Sequence, residues 1–187
     1  MSHHLDAGAR SALLLLARTS VERVVGIGPA QVVHDHPAFD RRAGAFVTLH
    51  VSHSLRGCIG LPEPARRLGD VVVHCAAAAA REDPRFEPLR VDDLATLSIE
   101  ISVLSRLQPL ADPGSLVIGR HGLAVEGGGR RGLLLPQVAA ARGWSASEFL
   151  EHTCTKAGLP PDAWCRDAVI HVFEADVFAD EPDPVTF

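Results

Sequence analysis

The chain has 187 residues, of which 47% are hydrophobic and 22% charged, with a formal net charge of −5. That length fits about one domain, which on folding buries roughly 70% of its unfolded surface and needs no covalent staple. The charge argues against a general nucleic-acid binder, and the four cysteines, Cys58, Cys75, Cys154 and Cys165, form no CxxC pair and match no zinc spacing.

In chain order, the first element is a helix over 7–25. Asp6 stands where a side chain can cap it, Leu14, Ala17, Val21 and Val24 recur at helical spacing, and Gly26-Ile27-Gly28-Pro29 ends it. A long loop follows to about residue 43, with a short extended piece at 31–33. Phe46 to Val51 alternates as a strand, Ser52-His53-Ser54 turns, and Leu55 to Gly60 returns as its hairpin partner. Pro62 and Pro64 lead into a helix with Leu68, Val71, Val72, Cys75, Ala76 and Ala79 on one face, broken at Asp83-Pro84. Leu97, Ile99, Ile101 and Val103 then alternate with Ser98, Glu100 and Ser102 in a strand over 97–104.

The order recurs in the second half. Residues 122–126 and 131–135 read as a hairpin around Gly127-Gly128-Gly129-Arg130. A short helix follows Pro136 and ends at Gly143. Ser145 and Glu148 form a capping box for the next helix, which Gly158 closes. A last strand covers about 169–178. Arg56-Gly57-Cys58-Ile59-Gly60-Leu61-Pro62 also parallels Arg131-Gly132-Leu133-Leu134-Leu135-Pro136. These observations predict a single α+β domain over 1–187. Two ββαβ units, at 44–105 and 117–178, repeat internally and form one largely antiparallel sheet with helices mainly on one face.

Pairing across the first three-residue turn sets Thr48 opposite Cys58 and His50 opposite Arg56, all on the sheet face away from the helices. Glu100 lies on the polar face of its own strand. Gly57 and Gly60 leave room for a ligand or another chain segment to approach the backbone. Cys58 is the weak catalytic candidate. A nearby Arg56 or protonated His50 would favour its thiolate. A buried small hydrophobe or a ligand-contacting wall residue are the other readings, and Leu133 at the matching place in the second hairpin favours burial. Cys75 and Cys154 fall on apolar helical stripes. His34-Asp35-His36, with His50 and His53, lacks a defined ligand geometry, so no metal is predicted, and no cofactor either. Gly26-Ile27-Gly28 lacks the third glycine and the preceding strand of a dinucleotide fingerprint. Gly127 to Gly129 reads as a turn whose amides could also cradle an anion beside Arg130 and Arg131. The segment 1–10 has no basic region, and Leu13 to Leu16 is too short for a signal core or membrane span, so the expected location is the reducing cytoplasm.

Several ordered segments resemble the AMMECR-one domain family, also called AmmeMemoRadiSam system protein A. They are Gly44 to Leu49, Leu55-Arg56-Gly57-Cys58-Ile59-Gly60, Asp83-Pro84-Arg85-Phe86, Ile99 to Leu104, and Arg130 to Val138. The likeness spans roughly residues 5–178. It implies an α+β fold with a repeated sheet, a hallmark set carried here by Arg56, Gly57, Cys58 and Gly60, and an association by name with Memo-like and radical-SAM proteins. It implies no reaction. The function expected is therefore a cytosolic substrate- or ligand-binding domain, or an enzyme, acting with such partners. Arg56 would anchor an anionic group, Cys58 and Thr48 would line the pocket, and Glu100 and Arg85 would border it. The alternative is a non-catalytic adaptor whose uncovered sheet face docks a partner protein, with Leu133 and Leu135 as its apolar contribution.

Overall fold

The computed structural model describes residues 4–28 and 35–180. The extended piece expected at 31–33 and His34 lie outside them. The chain packs as two units. Residues up to Leu104 and from Asp176 onward form the first, and Ser105–Ala175 form the second.

The first unit begins with α1 (Ala7–Val25), capped by the Asp6 carboxylate, which accepts from the Ala9 N–H at 2.8 Å. Its buried side holds Leu13, Leu16, Ala17, Ser20 and Val21, whereas Leu14 and Val24 are only partly covered. The buried stripe is thus rotated from the one apolar spacing predicts. Ser20 can occupy it because its hydroxyl donates to the Leu16 carbonyl at 2.6 Å, leaving no unpaired polar group inside. In the expected long loop a short 3-10 turn, Pro37–Asp40, buries Phe39.

Strands β1 (Ala45–Val51) and β2 (Ser54–Leu61) form the hairpin, and β3 (Leu97–Leu104) lies antiparallel on the other side of β1. Alternation sends Ala45, Val47, Leu49, Ile99 and Ile101 to one face, where all five are fully buried. Helix α2 (Leu68–Arg81) covers that face with Leu68, Val71, Val72, Cys75, Ala76 and Ala79, and α1 packs against α2 and β3. The closest approach falls at Gly57, where a Cβ would run into the carbonyl oxygen of Ala79. The other face carries Phe46, Thr48, His50, Cys58, Gly60, Ser98 and Glu100, all half-buried, and the buried Ser102. The Phe46 ring lies over Gly60, so the segment that this glycine admits is an aromatic side chain of its own sheet. The buried carboxylate of Asp176 accepts from the Leu5 N–H at 2.7 Å and from Arg10 at 2.7 Å, tying the start of α1 to the last strand, Val169–Ala179.

The second unit contains β4 (Gln108–Pro109), β5 (His121–Gly127), β6 (Arg130–Leu134), α3 (Pro136–Arg142), α4 (Ala146–Lys156) and most of β7 (Val169–Ala179). The β5–β6 turn uses Gly128 and Gly129 at φ 55° and 73°, values that a two-residue hairpin loop needs. Ser145 and Glu148 cap α4 reciprocally, as their spacing predicts. Leu116, Leu123, Leu134, Ala139, Phe149 and Leu150 form this unit's core. A Cβ at Gly132 would likewise run into the backbone of Ala157, though less closely than one at Gly57 meets that of Ala79.

Strand order is β2-β1-β3-β7-β5-β6, with β4 also on β7, and the pairings of β1 with β2 and β3, of β5 with β6 and β7, and of β4 with β7 are all antiparallel. The α+β class and the largely antiparallel sheet are as the sequence predicts. Among the described residues no helix is long and apolar enough to cross a membrane.

Two substitutions measure this packing. Cys75 is fully buried, and burial pushes its thiol pKa up to about 11. Cys75→Ser places a hydroxyl in the core and should lower stability by about 1–3 kcal/mol in urea unfolding. Gly57→Ala should cost about 2–3 kcal/mol, because only backbone movement of α2 makes room. An unchanged unfolding midpoint in either variant would contradict the corresponding contact.

Candidate ligand site at the edge of the first hairpin

Cross-strand register aligns three polar side chains on the face away from the helices. Thr48 on β1 is opposite Cys58 on β2 and, on its other side, opposite Glu100 on β3. The Thr48 hydroxyl lies 3.3 Å from the Cys58 sulfur. Strand β2 ends the strand order, so the backbone of Cys58 points away from the sheet and needs partners from elsewhere.

The segment after α2 supplies them. Pro84 prevents the helix from continuing, and Asp83 turns back onto the strand edge. Its Oδ2 accepts from the Cys58 N–H at 2.8 Å. Arg85 grips the same carboxylate along one side of the guanidinium, with Nε donating to Oδ1 at 2.9 Å and Nη2 to Oδ2 at 2.6 Å. Nη2 also lies 3.5 Å from the Cys58 carbonyl, and the Phe86 ring centroid is 5.2 Å from the guanidinium carbon. The Asp83 side chain is 2% exposed and that of Arg85 56%. The hydrogen bond from Arg85 holds the Asp83 carboxyl well below the usual carboxylate range. Burial opposes this, and the N–H groups of Cys58 and Arg85 add to it. The same hydrogen bond raises the Arg85 pKa, against the effect of burial, and the neighbouring charge of Asp83 and the Cys58 thiol add to it.

Of the residues singled out in the sequence, Thr48, Cys58, Arg85 and Glu100 are therefore brought into one row. His50 stands in the next row, opposite Ser98 and Leu55. This corrects the expected pairing of His50 with Arg56. The turn contains only Ser52 and His53, both at positive φ (49° and 63°), and a bulge beyond Leu49–Gly57 absorbs the extra residue, Arg56. Arg56 faces Asp93, with Nη2 3.6 Å from Oδ2. Gly57 serves the approach of α2, and Gly60 lies beneath Phe46. Asp83 is absent from the sequence-based site residues. Its signals are an acid just past an apolar helix and directly before proline, and its place in the AMMECR-one-like segment Asp83-Pro84-Arg85-Phe86.

The family model for AMMECR1 matches residues 14–178. The chain belongs to the AMMECR1 family. It is similar to protein MK0488 of Methanopyrus kandleri, at 44% identity over 182 residues, covering 90% of this chain and 87% of that protein. It is also similar to protein MJ0810 of Methanocaldococcus jannaschii, at 40% identity over 178 residues, covering 90% and 88%. The crystal structure of the uncharacterized protein PH0010 from Pyrococcus horikoshii has the same fold, with a TM-score of 0.87 and 36% identity, covering 95% of this chain and 94% of that one. The AMMECR1-like segments quoted from the sequence coincide with the row just described: Leu55 to Gly60 is the outer strand, Asp83 to Phe86 its clamp, and Ile99 to Leu104 the strand carrying Glu100.

The other candidates take different roles. The His36 ring nitrogen accepts from the Ala38 N–H and caps the 3-10 turn, and among the described residues no group of three or more His, Cys, Asp or Glu side chains could hold a metal ion. Cys154 is buried and its pKa is raised by that burial, and Cys165 is exposed. Leu133 and Leu135 are buried at 9% exposure each, so neither offers an apolar surface. In the second unit the Gly127–Gly128 turn borders a cavity of about 200 Å3 with Leu159, Pro160, Asp162 and Asp167.

Asp83 gives the site a pH signature. Its folded pKa lies below the value of about 3.9 expected in the unfolded chain, so its contribution to stability is complete above about pH 5 and drains away as pH falls. Asp83→Asn should be less stable than the wild type at pH 7 and should lose less stability on acidification. Parallel acid limbs in urea titrations of the two proteins would mean that Asp83 contributes no such linkage.

Proposed function

We propose that the protein is a cytoplasmic domain that binds a small substrate or ligand at Thr48, Cys58, Arg85 and Glu100 and works with Memo-like and radical-SAM partner proteins. The observation that carries this reading is the row itself. Three half-buried polar side chains on adjacent strands end at an arginine whose orientation is fixed by a buried carboxylate. Pre-orientation of this kind lowers the entropic cost of binding. His50, Arg56, Gly57 and Gly60 shape the hairpin that presents the row, and Cys58 forms its wall. Support for the partner class is the association carried by the family's name.

The adaptor alternative calls for a continuous apolar patch. The large exposed apolar side chains among the described residues are Leu15, Ile27, Leu55, Val91, Val117, Val169 and Val177, and none of them belongs to the polar row. The internal duplication belongs to the same proposal. Its support is the shared Arg-Gly step, with Gly57 and Gly132 each backed by the chain of a following helix.

A screen of small polar fragments, neutral and charged, by amide-resolved NMR tests the site. Binders should shift the amides of Thr48, Cys58, Arg85 and Glu100 together, and Arg85→Ala should weaken them at least about tenfold. A screen with no binder at these amides, combined with their broadening by an added Memo-like protein, would favour the adaptor instead.

A further inference from the structure

A guanidinium presents two edges, each with a pair of roughly parallel N–H groups suited to two oxygens of one anion. In Arg85 the Nε/Nη2 edge is filled by the two oxygens of Asp83. On the Nη1/Nη2 edge the described contact is the one from Nη2 to the Cys58 carbonyl at 3.5 Å, longer than an ordinary hydrogen bond. The Arg85 side chain is more than half exposed while its counter-ion is almost entirely buried. The clamp therefore turns a fork of donors toward solvent, beside the thiol and hydroxyl of Cys58 and Thr48.

We propose that the ligand of this site carries an oxyanion, a carboxylate or a phosphate, which binds in bidentate fashion on the outer edge of Arg85 and lays the rest of the molecule along Cys58 and Thr48. The proposal rests on the ligand-binding reading above and moves the expected anion anchor from Arg56, which faces Asp93, to Arg85. Asp83 offsets the net charge of Arg85, so recognition comes from fixed donor geometry more than from long-range attraction. Lysine cannot supply that geometry, because its ammonium has no fork.

The test is an amide-resolved NMR titration of the full chain with sodium phosphate and with sodium acetate, against sodium chloride at matched ionic strength, following Cys58, Arg85 and the Arg85 Nε–H. Saturable shifts are expected with phosphate, acetate or both, and which of them acts separates a phosphoryl from a carboxylate ligand. In Arg85→Lys the affinity should fall at least about tenfold, the gap expected when a bidentate contact is lost. A second measurement compares alkylation of Cys58 by iodoacetate and by uncharged iodoacetamide, with the exposed Cys165 as internal reference. The iodoacetate-to-iodoacetamide rate ratio at Cys58 should exceed that at Cys165 by at least about tenfold, and the excess should vanish in Arg85→Lys. Shifts no larger than with chloride, or shifts that survive Arg85→Lys, overturn the proposal, and equal alkylation ratios count against it. If neutral fragments nevertheless bind the row, the ligand site stands and only its anion specificity fails.

Discussion

The carboxylate of Asp83 is nearly sealed from water, and two separate parts of the first unit, the outer strand and the segment after α2, meet on it. It receives the outward N–H of an edge strand, it holds the guanidinium that reaches the carbonyl of the same residue, and it fixes where the chain goes after α2. A buried carboxylate is costly unless it is fully paired. Here the pairing is supplied by Arg85 from two residues away and by the backbone of Cys58 from across the fold. The edge of the sheet is closed by side chains rather than by another strand.

The same hairpin is fixed from beneath by shape. Gly57 lets α2 come down onto β2, so the strand is held on its inner face by the backbone of Ala79 and on its outer edge by Asp83. Cys58 lies between these two constraints, and its sulfur is left with Thr48 as its hydrogen-bonding neighbour. Both constraints act through the neighbouring Gly57 and the Cys58 N–H, and neither involves the thiol.

Much of this was legible in the sequence. Alternation located the strands, helical spacing located α2, and Ser145 with Glu148 located the start of α4, because each signal is local and periodic. The bulge at Arg56 was not legible. It depends on whether the turn takes two residues or three, and Ser52-His53-Ser54 has no glycine to mark the left-handed positions. The buried side of α1 was misplaced because Ser20 satisfies its own hydroxyl within the helix and so behaves as an apolar residue. In the sequence Asp83 reads as a helix breaker, since nothing in a linear sequence shows that a strand edge 25 residues earlier needs its carboxylate.

The bond between Asp83 and the Cys58 N–H involves the backbone at position 58, whatever side chain stands there. Selection on the two positions is therefore separable. A lineage could exchange the cysteine for another small residue and keep the acid, because the strand edge would still need an acceptor. It could not as easily exchange the acid and keep the cysteine in place. The strand edge thus constrains the carboxylate, and any constraint on the cysteine side chain comes instead from its place in the hallmark segment and the ligand row.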